Sequence, residues 1–432
     1  MHGAFAVPTF LTPSAPSPQA SPGTMTPALT LLLSLAASVI IANLFNSQPI
    51  VAQIGHSFGS RPTSAGLISM LTMLGYAMGV VFLLPFVDKV ENRRLIVCIL
   101  LVAVVALVAA ACAPTESVFL CAVFLVGVSS CVVQMFVVMA ALLSPESVRG
   151  RVVGNVMSGL MLGILLSRPT GSFLAGELGW RAVYALSALA GAAMALLLWL
   201  RLPIRMPAAP RPYRASLASL WPLLTREPVL RRRAAYQSLL MVAFSAFWTA
   251  VAWRLAQPPF GFGTRGVALF ALAGAGGAII APFAGRAGDR GFTRAATLWA
   301  HLSVVCGVLL AAIAAGPWGR AIHAAMPAWV MLGLLAVAAL LLDMGAVADQ
   351  ALGRRAVNMI RPEARGSVNG LFTGSFFVGG ALGAALAGPS WSVAGWGGVC
   401  GVALCASLLA LLLRLQEPRD RPVPVSLSCR AL

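Results

Sequence analysis

The chain has 432 residues, of which 59% are hydrophobic and only 10% charged, with a mean hydropathy of +0.89. A soluble domain carries about 25% charged residues, so this composition excludes an ordinary water-soluble globule and points to lipid as the main solvent. The net charge of +18 does not indicate a nucleic-acid partner, because the arginines punctuate apolar runs and are not gathered on a polar domain.

Residues 1–27 are rich in Pro, Ser and Thr and contain no Lys or Arg. They lack the basic segment that opens a signal peptide and read as a disordered N-terminal tail. Met25 offers an alternative translation start. Twelve apolar runs follow, at about 28–54, 66–86, 95–113, 118–143, 152–174, 182–200, 234–256, 266–284, 295–315, 328–347, 368–388 and 393–413. Each is long enough for a helix rising 1.5 Å per residue to cross about 30 Å of hydrocarbon. Their length, and the lack of a period-two pattern, favours helices over barrel strands.

The longest polar interruption, 201–233, contains eight arginines and separates a six-helix bundle at 28–200 from a second at 234–414, with a short tail at 415–432. With both termini inside, 24 of the 30 basic residues fall in inside segments and five in outside loops. That split fits the positive-inside rule. The arginine bias over lysine, with heavy Ala and Gly use, suggests a bacterial inner membrane. Cys112 and Cys121 flank one short outside loop, where a disulfide is geometrically possible; buried cysteine is more commonly a small hydrophobe.

The two halves resemble each other. Pro145-Glu146-x-x-Arg149-Gly150 precedes the fifth run, and Pro362-Glu363-x-Arg365-Gly366 precedes the eleventh. Gln134 then falls opposite Gln350. The loop after the eighth run holds Gly285, Asp289, Arg290 and Arg294; the loop after the second holds Pro85, Asp88, Lys89 and Arg93. An Asp at a helix end can pair with nearby arginines and with the positive N-terminus of a neighbouring helix.

These loops resemble the paired signature loops of the major facilitator superfamily. The second copy is the closer match; in the first, Leu84 stands where the family has Gly, and Glu91 replaces a following Gly. Asn43-Leu-Phe-Asn-Ser-Gln48-Pro49, Gly163-Ile-Leu-Leu-Ser-Arg168-Pro169, Phe244-Ser-Ala-Phe-Trp248-Thr249 and Leu342-Asp343-Met-Gly are similar to a bacterial drug- or sugar-efflux branch of that superfamily. The resemblance implies an all-α fold of twelve transmembrane helices in two pseudo-symmetric bundles. It also implies transport by alternating access, with the signature loops latching one state. The first, fourth, seventh and tenth helices would line the cavity, making Asn43, Gln48, Gln134, Trp248, Thr249 and Gln350 candidate lining residues.

No catalytic constellation is visible. Lys89 follows Asp88 and so cannot close a phosphate-binding P-loop, and no His-Glu-x-x-His is present. The reading is therefore not an enzyme, with no cofactor and no metal, and with an existing gradient as the energy source. Ionisable groups within apolar runs are few, and each costs at least about 2.5 kcal/mol at mid-helix. Asp343 in the tenth run is the candidate for proton binding and release; a structural pairing is the other reading. Arg168 in the fifth run cannot shed its charge. It reads as an anion or gating site, or as a fixed partner of Asp343. His301 reads as a packing residue. Asp343 and Gln350, seven apart, share a helix face.

The leading expectation is an exporter of small, fairly apolar compounds in exchange for protons, working as a monomer in the bilayer. A facilitator or importer of a sugar-like or anionic metabolite is the alternative. A membrane receptor or intramembrane enzyme would need a soluble domain or clustered catalytic residues, and neither is visible.

Overall fold

A computed structural model describes residues 25–59, 62–207, 213–218, 220–316, 326–360 and 365–417. The expectations for residues 1–24, for the tail beyond 417 and for the Pro362–Glu363 repeat lie outside the described residues, and Arg365 is described by its backbone alone.

The first apolar run is not one helix. Helix α1 (Pro27–Ala42) begins at Thr26, whose hydroxyl accepts from the Leu29 amide at 3.1 Å, and stops at Asn43. A short 3-10 turn (Gln48–Ile50) and α2 (Val51–Ser57) complete the crossing. The interruption carries Asn43, Asn46, Ser47 and Pro49. Their side chains compete for backbone hydrogen bonds, and the proline lacks an N–H. Then come α3 (Pro62–Phe82), α4 (Asn92–Ala111), α5 (Glu116–Ser130) with its continuation α6 (Val132–Leu143), α7 (Glu146–Leu178) and α8 (Trp180–Arg201). Two short helices, α9 (Tyr213–Ala218) and α10 (Leu220–Arg226), cross the expected linker.

The second half runs through α11 (Pro228–Ala256), α12 (Thr264–Ala271), α13 (Gly276–Asp289), α14 (Thr293–Ala315), α15 (Ala328–Asn358) and α16 (Arg365–Leu415). The eighth run is broken like the first, by a 3-10 turn at Leu272–Ala275. The eleventh and twelfth runs are joined within α16, which bends back at Ala394 and Gly395; Gly395 holds φ +57, a left-handed value that favours glycine. Among the described residues, ten helical segments are long and apolar enough to span a membrane. The shorter α1 and the division of α16 account for the remaining expected runs.

The packing is that of a membrane protein. Val393, Trp329, Trp299, Leu269 and Leu31 face outward with 70% or more of their surface exposed, whereas Asp343, Asp349, Arg168 and His301 are buried. Such an outward apolar surface requires lipid around it. Close helix contacts use small residues, as the Gly-xxx-Gly spacings suggest. A Cβ at Gly163 would strike the Ser38 carbonyl of α1, and one at Gly75 would strike the Phe124 carbonyl of α5. Cys112 and Cys121 are both free thiols, so no disulfide closes that loop.

Between the halves, α3 packs on α16 and α7 packs on α12. At the end of the bundle that carries Glu177 and Arg265, the Ser172 hydroxyl donates to the Thr264 carbonyl at 2.8 Å and Arg265 pairs with Glu177 at 2.7 Å. At the other end, which carries the signature loops, a cavity of about 600 Å³ separates the halves.

Candidate functional site

Four helices converge at the middle of the bundle. The break after α1 places Phe45 and Gln48 beside Arg168 of α7, and α11 supplies Phe244 and Trp248 from the other half. The guanidinium carbon of Arg168 lies 4.3 Å from the Trp248 ring centroid, 5.0 Å from that of Phe244 and 5.4 Å from that of Phe45. Its Nε donates to Gln48 Oε1 at 3.0 Å, while its Nη2 has no hydrogen-bond partner. Each desolvated cation–π contact contributes about 0.5–2 kcal/mol. Three of them are comparable to the insertion cost of an arginine at mid-membrane, about 2.5–3.5 kcal/mol. The rings therefore offset much of the cost of the charge, and the Asp343 carboxylate acts on it from beyond direct contact.

Asp343 on α15 occupies the other side of the same indole: Trp248 Nε1 donates to Asp343 Oδ1 at 2.7 Å. Gly274, in the break of the eighth run, makes room for this pair. A Cβ there would lie 2.7 Å from Asp343 Oδ2 and 3.0 Å from the Trp248 ring. Among the described residues Arg168 and Asp343 make no direct ion pair, but their charges act on each other across Trp248, which touches both. Both line a void of about 70 Å³, and Gln350 lines it too, as the seven-residue spacing requires.

The other expected lining residues are dispersed. Gln134 Nε2 donates to the Tyr76 hydroxyl at 2.8 Å and borders the larger cavity. Thr249 is buried with its hydroxyl unpartnered. Asn43 accepts a 3.5 Å bond from Asn46, which also reaches the Ser187 hydroxyl.

At the signature loops, Asp289 pairs with Arg355 of α15 at 2.9 Å, and Arg294 donates to the Glu417 carbonyl at 3.1 Å. Gly285 lies four residues before Asp289 in the last turns of α13, and Arg290 is exposed just beyond it. Pro85 and Asp88 lie in a 3-10 turn at the cavity mouth. Among the described residues Asp88 makes no ion pair there; it borders the cavity with Gly366 and Ser367, in the first turn of α16. That position fits a carboxylate facing a helix N-terminus. Arg93 lies 3.8 Å from Glu91 and over the Trp199 ring, and Arg149 is exposed.

Sequence reasoning missed a second buried charge cluster. Asp349 accepts from His301 Nε2 at 3.3 Å and lies 3.8 Å from Arg233, whose Nη1 also donates to Thr297 at 2.8 Å. His301 thus packs as expected, against Tyr236, but as a partner of a buried carboxylate. Asp349 and Gln350 are neighbours on different faces of α15, one turned into the second half and one toward the cavity. The aromatic lining of Arg168 was missed too. Its sequence signal is faint: Phe45 lies in the polar interruption of the first run, and Phe244 and Trp248 sit beside Ser245 and Thr249 in the seventh.

The chain's relatives agree with this architecture. A model of the Major Facilitator Superfamily matches residues 33–351. An Escherichia coli O157:H7 protein named "Uncharacterized transporter YgaY" is 34% identical over 389 residues, covering 90% of this chain and 95% of the relative. A Streptomyces coelicolor protein named "Probable transporter SCO4007" is 32% identical over 381 residues, covering 86% and 83%. Among solved structures, the xylose transporter XylE from E. coli, in a partially occluded inward-open conformation, superposes with a TM-score of 0.68 at 12% identity, covering 91% of this chain and 97% of that one. The nucleoside transporter NupG gives 0.67 at 13%, covering 90% and 99%. A bacterial homologue of the human lysosomal transporter Spinster, inward-facing and unoccupied, gives 0.65 at 13%, covering 90% and 94%. The chain therefore belongs to the Major Facilitator Superfamily and is a multi-pass membrane transporter.

Proposed function

We propose that this transporter exports small, fairly apolar compounds across the bacterial inner membrane in exchange for protons, with the signature-loop end in the cytoplasm. The observation that carries this reading is Asp343: a buried carboxylate on the wall of the central void, held by a hydrogen bond from Trp248 and touching no cation directly among the described residues. A carboxylate placed so can take up a proton from one side and lose it to the other as the halves rock, since each conformation changes its neighbours. The apolar surroundings, with few polar points, suit a modestly hydrophobic solute. The 24-to-five distribution of basic residues supports the orientation.

The test is transport in inverted vesicles with an imposed proton gradient, using a panel of drugs and metabolites. Asp343→Asn is expected to abolish uphill transport while retaining substrate exchange. Undiminished gradient-driven transport by that variant removes Asp343 from the mechanism. Cysteines placed in the Asp88 and Asp289 turns are expected to label from the same, cytoplasmic side; opposite sides would overturn the orientation.

A further inference from the structure

Two seams join the halves. Along α3 and α16 the helices meet most closely at the end away from the signature loops, and toward the loops Val80 and Leu84 border the large cavity with Gly366 and Gly370. A Cβ at Gly66 would strike the Ala384 carbonyl, one at Gly380 would lie 2.8 Å from Met73 Sδ, and one at Gly374 would lie 3.1 Å from Val81. The Tyr76 and Phe377 rings, 4.3 Å apart, fill the middle of this seam. The second seam runs along α7. It is closed at the Glu177 end by the Thr264 contacts, but toward the signature loops α7 and α13 part and leave a gap of about 650 Å³. Its lips are Ser158, Leu162 and Leu165 on α7 and Ala281 and Pro282 on α13, and its floor is α15. Leu162 is 49% exposed, and the nearby Ile279 and Phe283 of α13 are 65% and 54% exposed, so the gap opens sideways among lipid-facing side chains.

The gap is continuous with the transport pathway. It shares Met161, Leu165, Val347 and Gln350 with the central void, and Met157, Arg354 and Asn358 with the large cavity. Arg354 stands where gap and cavity join. Among the described residues it makes no ion pair, and its Nη1 meets the Met157 sulfur at 3.6 Å. Further in, Arg168 presents its unpartnered Nη2 in a site that is 98% buried. An apolar side entrance therefore leads past Arg354 to Arg168, two arginines with no direct ion pair among the described residues.

We propose that the substrate is an anionic amphiphile that enters from the inner leaflet between α7 and α13, its acidic group passing from Arg354 to Arg168 while its tail lies in the gap. This deepens the export reading and rests on its orientation. An arginine binds sulfonate, phosphate or carboxylate oxygens through its planar fork. A chain of methylenes lying in the gap stays in an environment as apolar as the lipid it left. A water-borne anion would need only the large cavity and would gain nothing from the gap.

The test uses the purified protein in nanodiscs without any proton gradient, so that loss of proton coupling and loss of this site are read separately. The probe is tritiated dodecanesulfonate, a permanent anion. Ethanesulfonate has the same head without the chain, and dodecyltrimethylammonium has the chain with the opposite charge. Dodecanesulfonate is expected to bind, with ethanesulfonate at least about 100-fold weaker and the ammonium not competing. Arg168→Gln and Arg354→Gln should each weaken binding about 10-fold or more, and Arg354→Lys should recover part of it. Leu162→Trp combined with Ala281→Trp, which narrows the gap without touching either arginine, should slow association about 10-fold or more. Leu189→Trp, at a lipid-facing position of α8 that is 69% exposed, serves as the control and should leave association unchanged. Equal competition by ethanesulfonate, or an unchanged association rate in a tryptophan pair that melts like the wild type, overturns the proposal. Binding that survives in an Asp343→Asn variant unable to pump overturns nothing here and confines the defect to coupling.

Discussion

Trp248 donates its indole N–H to Asp343 at 2.7 Å, across the packing of α11 on α15, and the face of the same ring carries the Arg168 guanidinium at 4.3 Å. One side chain thus touches the buried acid of one half and the buried base of the other. A shift of the halves that moves the indole alters the surroundings of both charges together.

Separating the two roles of Trp248 is therefore informative. Trp248→Phe keeps a ring under Arg168 and removes the donor to Asp343; a hydrogen bond to a charged group contributes about 1.5–3 kcal/mol. Transport should fall about 10- to 100-fold while dodecanesulfonate binding changes little. Trp248→Ala removes both contacts and should impair transport and binding alike. Equal behaviour of the two variants in both assays would contradict the division of labour.

The Arg233–Asp349–His301 cluster predicts a stability effect of a different kind. Removing one member leaves an uncompensated buried charge, which costs about 3–5 kcal/mol. Asp349→Ala should lower the melting temperature in detergent substantially. The paired change Arg233→Met with Asp349→Leu should be tolerated better than either single change, because no orphaned ion remains. A pair that melts as low as its worse single member would show that the cluster's geometry matters more than its charge.

Helix α7 lies on α1 with no room for a side chain at Gly159 or Gly163. Gly163→Val should force the helices apart at a cost of about 1–3 kcal/mol and displace Arg168, five residues on. Reduced thermal stability together with weaker anion binding is the expected result. Gly150→Val, where a Cβ meets nothing within 4 Å, should be harmless in the same assays.

The Asp289–Arg355 pair is exposed, and such pairs contribute only about 0–1 kcal/mol. Asp289→Asn should therefore leave the melting temperature nearly unchanged. If the pair holds one state of the cycle, the same variant slows transport several-fold, and exchanging the charges (Asp289→Arg with Arg355→Asp) restores part of the rate. Full activity of Asp289→Asn would reduce the pair to a surface contact.

Much of the fold is legible in the sequence, because lipid imposes a simple rule: about 20 apolar residues per crossing. Asp343 and Arg168 are legible for a related reason, since charges inside such runs are rare and costly. Their relationship is not. The indole between them comes from a third helix, and nothing in the order of residues says that a tryptophan at 248 faces both 168 and 343. The second charge cluster pairs Asp349 with His301, 48 positions before it, and with Arg233 in a third helix. A local reading finds His301 packed in a core, with nothing to bring Asp349 to it. The break after α1 had a signal in Asn43, Asn46 and Pro49, but the surrounding hydropathy masked it.

At the end away from the signature loops, Gly66 of α3 lies against the Ala384 carbonyl with no room for a side chain, and Ser172 of α7 meets Thr264. At the signature-loop end both seams open, one onto the large cavity and one between α7 and α13. Rigid rotation about a line moves each atom in proportion to its distance from that line. A swing that pivots on the closed end is then smallest near Gly66 and Thr264 and largest at the loops. Spin labels bridging Ser158 of α7 and Pro282 of α13 would report a wide excursion, and labels bridging Gly66 and Ala384 a narrow one.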